Sequence, residues 1–127
     1  MTGIDKGCIC ISAVSEFFYR PSVIRHYLKN WELLEEGIAP RLFDGMPRKP
    51  DYWESSFEEA AIIKSDIEVA VQKLATKELV VVVDRYMTRR PLSDTTRYLR
   101  IMPSYYHKLS KLAVRHIAEI LGWRKDD

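Results

Sequence analysis

Apolar residues recur at three- and four-residue steps along most of this chain, so its pattern predicts helices. Over residues 21–36, Ile24, Tyr27, Leu28, Trp31 and Leu34 form one stripe, with Pro21 suited to a first turn and Gly37 to a stop. Glu32, Glu35 and Glu36 lie at the wrong end for that helix's dipole, so tertiary packing is expected to hold it. A second helix is predicted from about 56 to 74, with Ala60, Ile63, Ile67, Ala70, Val71 and Leu74 inward. Ser55 and Ser56 each stand three residues before a glutamate, Glu58 and Glu59, as overlapping capping boxes. The run LATKELVVVVDRYMTRR contains four consecutive valines, which favour a strand on propensity. Leu79, Val82, Val83 and Tyr86 keep helical spacing, however, and Thr76 is placed to cap. No second strand pattern exists to satisfy a lone strand's backbone, so helix is the expectation.

Two further elements follow. Ser93 is expected to cap a short helix to about Leu99, and Pro103 to open a longer one ending at Gly122. Only Arg100, Ile101 and Met102 separate them. Tyr106, Leu109, Leu112, Ala113, Ile117, Ile120 and Leu121 supply the inward side of the last helix, and His116 is expected as a packed core histidine. Between the two halves, residues 37–54 hold Gly37, Pro40, Gly45, Pro47 and Pro50 and read as a loop. Its Arg41, Arg48 and Lys49 suit a phosphate backbone or a solvated connector equally. The expected fold is all-α. Residues 1–54 form an N-terminal helix and proline-rich loop; 55–127 form a helical domain with a helix-turn-helix at about 93–121.

Charge changes the picture. The chain's 20 basic and 18 acidic residues sum to only +2. Residues 1–84 carry 10 basic and 14 acidic side chains, net −4, whereas 85–125 carry 10 basic and 2 acidic, net +8. That asymmetry points to a polyanionic partner for the C-terminal segment. No stretch is apolar enough for a transmembrane helix, and the N-terminus is a poor signal peptide. Cys8 and Cys10 are spaced wrongly for an ordinary disulfide or a zinc knuckle, so they are expected reduced, in the cytoplasm.

The helix-turn-helix is where chemistry concentrates. In such a pair the second helix lies in the major groove and its first turns reach base edges. Leu92, Thr96, Leu99, Ile101, Tyr106 and Leu109 are expected to form the small core that sets the angle between the helices. Ser104, Tyr105, His107 and Lys108 are the candidate base contacts, because hydroxyl, imidazole and ammonium groups match groove donors and acceptors. Two adjacent helical residues cannot share one narrow core, so of Tyr105 and Tyr106 one is expected exposed. Arg89, Arg90, Arg97, Arg100, Lys111 and Arg115 are the candidate phosphate contacts, which position rather than specify. Arg100 stands where such turns often carry glycine. It requires either a left-handed backbone, at about 1 kcal/mol, or a turn of another form.

The segment of about 74–123 resembles the region 4 helix-turn-helix of sigma factors. More narrowly, the chain resembles phage transcription regulators of the RinA and ArpU type. The likeness rests on the aromatic-basic recognition helix followed by Ile117-Ala118-Glu119 and Gly122-Trp123. Arg25-His26-Tyr27-Leu28, Gly45-Met46-Pro47 and Ser56 to Lys64 add to it. The resemblance implies a DNA-binding activator of late or packaging genes in a bacterial host cell, with double-stranded DNA as its partner. Host RNA polymerase and a second copy of the chain are further candidate partners. A small-terminase-like packaging subunit and a helical polymerase-binding module are the alternatives. No Gly-rich phosphate loop, metal-ligand spacing or nucleophile–histidine pattern is present, so no enzyme, metal or cofactor is expected.

Overall fold

A computed structural model describes residues 18–40 and 56–124. Cys8, Cys10, the basic residues of the proline-rich loop and the cap expected at Ser55 lie outside those residues. Among the described residues the fold is all-α, with no strand. It comprises α1 (Pro21–Lys29), α2 (Trp31–Glu35), α3 (Ser56–Gln72), α4 (Thr76–Val82), α5 (Leu92–Leu99) and α6 (Pro103–Ile120). A π-turn, Val83–Met87, prolongs α4. No helix among them is long and apolar enough to cross a membrane.

The stripe expected as one helix over 21–36 is two. Asn30 breaks it: its side-chain amide donates to the His26 carbonyl at 2.8 Å, competing with the backbone for the same acceptor. The break puts Glu32 into the first turn of α2, where a carboxylate favours the helix dipole rather than opposing it. The valine run is helical, but Ala75 occupies the cap position, and neither it nor Thr76 makes a side-chain cap bond.

α6 is the central element, packing against α1, α3, α4 and α5. One buried cluster joins Tyr27, Trp31, Ile63, Ile67, Val82 and Ile117, so helices on either side of residue 55 share a core. A second, smaller cluster of Val81, Tyr106 and Leu109, flanked by Leu92, Leu99 and Ile101, lies between α4, α5 and α6. Because α6 is covered on several sides, its buried arc is wide and takes in Ser110, Val114 and Ala118, whereas Leu112 is only half-buried and Ile120 is exposed. Inside the main core the Tyr19 hydroxyl donates to Asp66 Oδ2 at 2.7 Å. Burial raises the Asp66 carboxyl above its ordinary range, and that hydrogen bond opposes the rise.

Three helix ends close in the same way. After α2, Gly37 N–H donates to the Leu34 carbonyl and Ile38 N–H to Leu33. After α6, Gly122 and Trp123 make the equivalent bonds to Glu119 and Ala118, and after α5, Arg100 and Ile101 make them to Arg97 and Thr96. Each pair satisfies carbonyls that the helix leaves without partners, and the geometry needs a left-handed residue. Glycine supplies it twice, at φ 80° and 108°; in the third case Arg100 supplies it at φ 57°.

Candidate nucleic-acid interface

The entry to α5 differs from the expected cap. Pro91 occupies the N-cap position and Ser93 lies inside the first turn, where its carbonyl accepts from the Thr96 hydroxyl at 3.2 Å. Starting the helix at Leu92 turns Leu92, Thr95 and Leu99 inward, three- and four-residue steps apart. Thr95, not Thr96, is therefore the buried threonine, and Thr96 is half-buried. The Thr95 hydroxyl donates to Asp84 Oδ2 at 3.0 Å. Asp84 also accepts from Arg90 through its carbonyl, at 2.7 Å, and faces the Arg90 guanidinium at 3.7 Å. One carboxylate in the π-turn thus fastens the start of α5.

The π-turn also fixes Arg85. Its Nη1 donates to Ser110 Oγ at 2.8 Å, and its guanidinium lies over the Tyr86 and Tyr106 rings at 5.4 and 5.8 Å. Ser110 is buried on α6, so a basic side chain from one element is locked onto the next. Burial raises the Tyr106 phenol above its ordinary range, with the Arg85 charge pulling it down.

On α6 the two tyrosines separate as expected: Tyr106 is 2% exposed and Tyr105 is 42% exposed. Ser104, His107, Lys108 and Lys111 are exposed as well. At 100° per residue, Ser104, Lys108 and Arg115 lie near the centre of the outer face. His107 and Lys111 fall on the flank toward α1, and Tyr105 on the flank toward α5.

The candidate phosphate contacts divide into two sets. Arg89 Nε lies 2.9 Å from Glu32 and its Nη2 donates to the Lys29 carbonyl at 3.0 Å. Arg90 faces Asp84, and Arg115 faces Glu119 one turn on at 3.7 Å. Arg97, Arg100 and Lys111 are exposed and meet no carboxylate among the described residues. His116 is not a core residue: its ring is half-exposed, and Nδ1 lies 2.7 Å from the buried Glu78. No group of His, Cys, Asp or Glu that could hold a metal exists among the described residues.

Two features carried no local signal in the sequence. Thr95 and Ser110 anchor the site through partners 11 and 25 residues away, which only the fold brings together. Compared with protein-family models, with curated proteins and with solved structures, the chain matches none of them.

Proposed function

We propose that this chain binds duplex DNA through α5 and α6, used as a helix-turn-helix with α6 in the major groove. The observation that carries the reading is the pattern on α6. Tyr106, Leu109 and Ser110 are buried, while Ser104, Tyr105, His107 and Lys108 of its first two turns and Lys111 at the start of the third are all exposed. An α-helix with its side chains is about 10–12 Å across and the major groove about 12 Å wide. The outer face therefore meets base edges, with Lys108 suited to guanine O6 and N7. Arg97, Arg100 and Lys111 take phosphates on either side. In this reading the protein regulates transcription from a phage or prophage genome, as its resemblance to the RinA and ArpU type implies, acting in the cytoplasm of the host.

The test is binding of the full chain to a pool of duplexes from its own genome, followed by fluorescence anisotropy across salt concentrations. Affinity is expected to fall at least about thirtyfold between 50 and 200 mM salt, the counterion release of three phosphate contacts. Absence of binding to every duplex at low salt would overturn the reading.

A second reading has its own support. Tyr98 is 76% and Met102 70% exposed at the α5–α6 connection, a surface suited to a protein such as RNA polymerase. Retention of polymerase by the immobilised chain, lost in Tyr98→Ser with Met102→Ser while duplex affinity persists, is the outcome that reading requires.

A further inference from the structure

The flank of α6 that faces α1 is concave. A cleft of about 160 Å³ opens there, lined by Arg25 and Lys29 of α1, Arg85 of the π-turn, and His107, Ser110 and Lys111 of α6. Four of those side chains carry a formal positive charge, and no carboxylate lines the cleft among the described residues. Cofactor and drug-sized sites span about 300–1,000 Å³, so this one suits a single small anionic group.

Its parts are differently held. Arg85 is the rigid member: it spends one N–H on Ser110 and rests on two tyrosine rings, which leaves the rest of its donor fork unassigned. Arg25 and Lys29 stand one turn apart on α1, both exposed, and Lys111 stands one turn beyond His107 on α6. Ser22 and His26 continue the surface along α1 beside Arg25 and Lys29. Glu32, which follows α1, is engaged by Arg89, and Asp84, which precedes Arg85, by Thr95 and Arg90. Like charges gather here around a fixed guanidinium, with no carboxylate among the described lining residues, an arrangement that raises the local potential for an anion.

We infer that this cleft is a phosphodiester subsite, in which Arg25 and Lys29 of α1 join Arg85 and Lys111 in holding one backbone phosphate of the duplex. The inference rests on the DNA-binding reading and extends it to the N-terminal half of the molecule. A helix lying in the major groove has a phosphate backbone along each flank. Arg97 and Arg100 serve the α5 side, and the cleft serves the other. The contact positions α6 and reads no base, so it acts alike on all sequences.

The experiment compares three proteins on one duplex that the parent binds: the parent, Arg25→Gln with Lys29→Gln, and Lys73→Gln with Lys77→Gln. All four side chains are exposed, so thermal unfolding of each variant is expected to match the parent. The two double variants lose equal charge, but Lys73 and Lys77 lie outside the cleft. In Arg25→Gln/Lys29→Gln the slope of log K against log salt is expected to shrink by up to about 0.9, the release from the one phosphate the cleft holds. Affinity falls on specific and unrelated duplexes by the same factor. Lys73→Gln/Lys77→Gln keeps the parent's slope. Equal slopes in all three proteins would overturn the subsite while leaving α6 as the DNA-binding element. Equal losses in both double variants would reduce it to a general charge effect. A parent that binds no duplex would overturn the DNA-binding reading itself, and the subsite with it.

Discussion

Two arginines stand in left-handed backbone at two turns of this protein, Arg89 between the π-turn and α5, and Arg100 between α5 and α6. Their surroundings differ. The guanidinium of Arg89 is engaged by Glu32 and by the Lys29 carbonyl, tying the turn to α1 and α2. Arg100 is exposed and meets no carboxylate among the described residues. Left-handed backbone costs a residue with a Cβ about 1–2 kcal/mol, and the ends of α2 and α6 avoid that cost with glycine. At Arg89 the side chain repays its position inside the molecule. At Arg100 the backbone closes α5 as glycine would, but the side chain meets no carboxylate among the described residues, and a Cβ kept where glycine would serve is a pointer to function. On the proposed reading, the difference separates an arginine that builds the fold from one left for a ligand.

Replacing the outward set gives the largest expected effect on that contrast. Arg97→Gln with Arg100→Gln is expected to weaken binding to every duplex alike and to shrink the salt slope by about 1.8. About tenfold less affinity is then lost between 50 and 200 mM salt. Arg89→Gln, by contrast, is expected to leave the slope unchanged in the same titration. A reduced slope for Arg89→Gln would collapse the distinction.

Next in size is the fastening of α5. Thr95→Val keeps the shape of the side chain but removes the donor to Asp84, and is expected to cost about 1–2 kcal/mol of stability. Chemical denaturation measures it. An unchanged midpoint would mean that Arg90 alone fastens the turn.

The smallest effect is also the most telling for the turn itself. Arg100→Gly removes the Cβ from a left-handed position, so the folded state is expected to gain up to about 1 kcal/mol. Duplex affinity is expected to fall at the same time. A rise in the unfolding midpoint together with weaker binding is the signature of a residue kept for contact rather than for fold. Destabilisation would show that Arg100 has a structural partner after all.

The comparison also marks what could be read without a structure. The split between Tyr105 and Tyr106 and the helical reading of the valine run follow from local rules of turn geometry and periodicity, which at Arg100 leave a left-handed backbone and another form of turn both open. These depend on residues within about one turn of each other. The break at Asn30 is invisible in the sequence pattern because the apolar stripe runs through it unbroken, while the side-chain bond that causes it leaves no trace there. Propensity favours Ser93 as the N-cap, whereas Pro91 and the Asp84–Thr95 bond decide where α5 starts. Position along α6 points His116 into the core, but its partner, Glu78, lies 38 residues away and holds it half-exposed. The same reason hid which arginines are engaged: Arg89 meets residues of α1 and α2 nearly 60 positions earlier. Arg25 and Lys29 carried no signal as site residues for that reason too. Only packing of α1 on α6 brings them beside Lys111.

The central claim is that the outer face of α6 holds DNA. Its most direct measurement is the duplex Kd of Lys108→Glu beside that of Lys77→Glu. Lys77 is exposed in the first turn of α4, so the two variants have the same net charge. A good base contact is worth about 1–3 kcal/mol of discrimination. Lys108→Glu is accordingly expected to raise Kd at least about tenfold, with Lys77→Glu close to the parent. Equal affinity for parent and Lys108→Glu would contradict the claim.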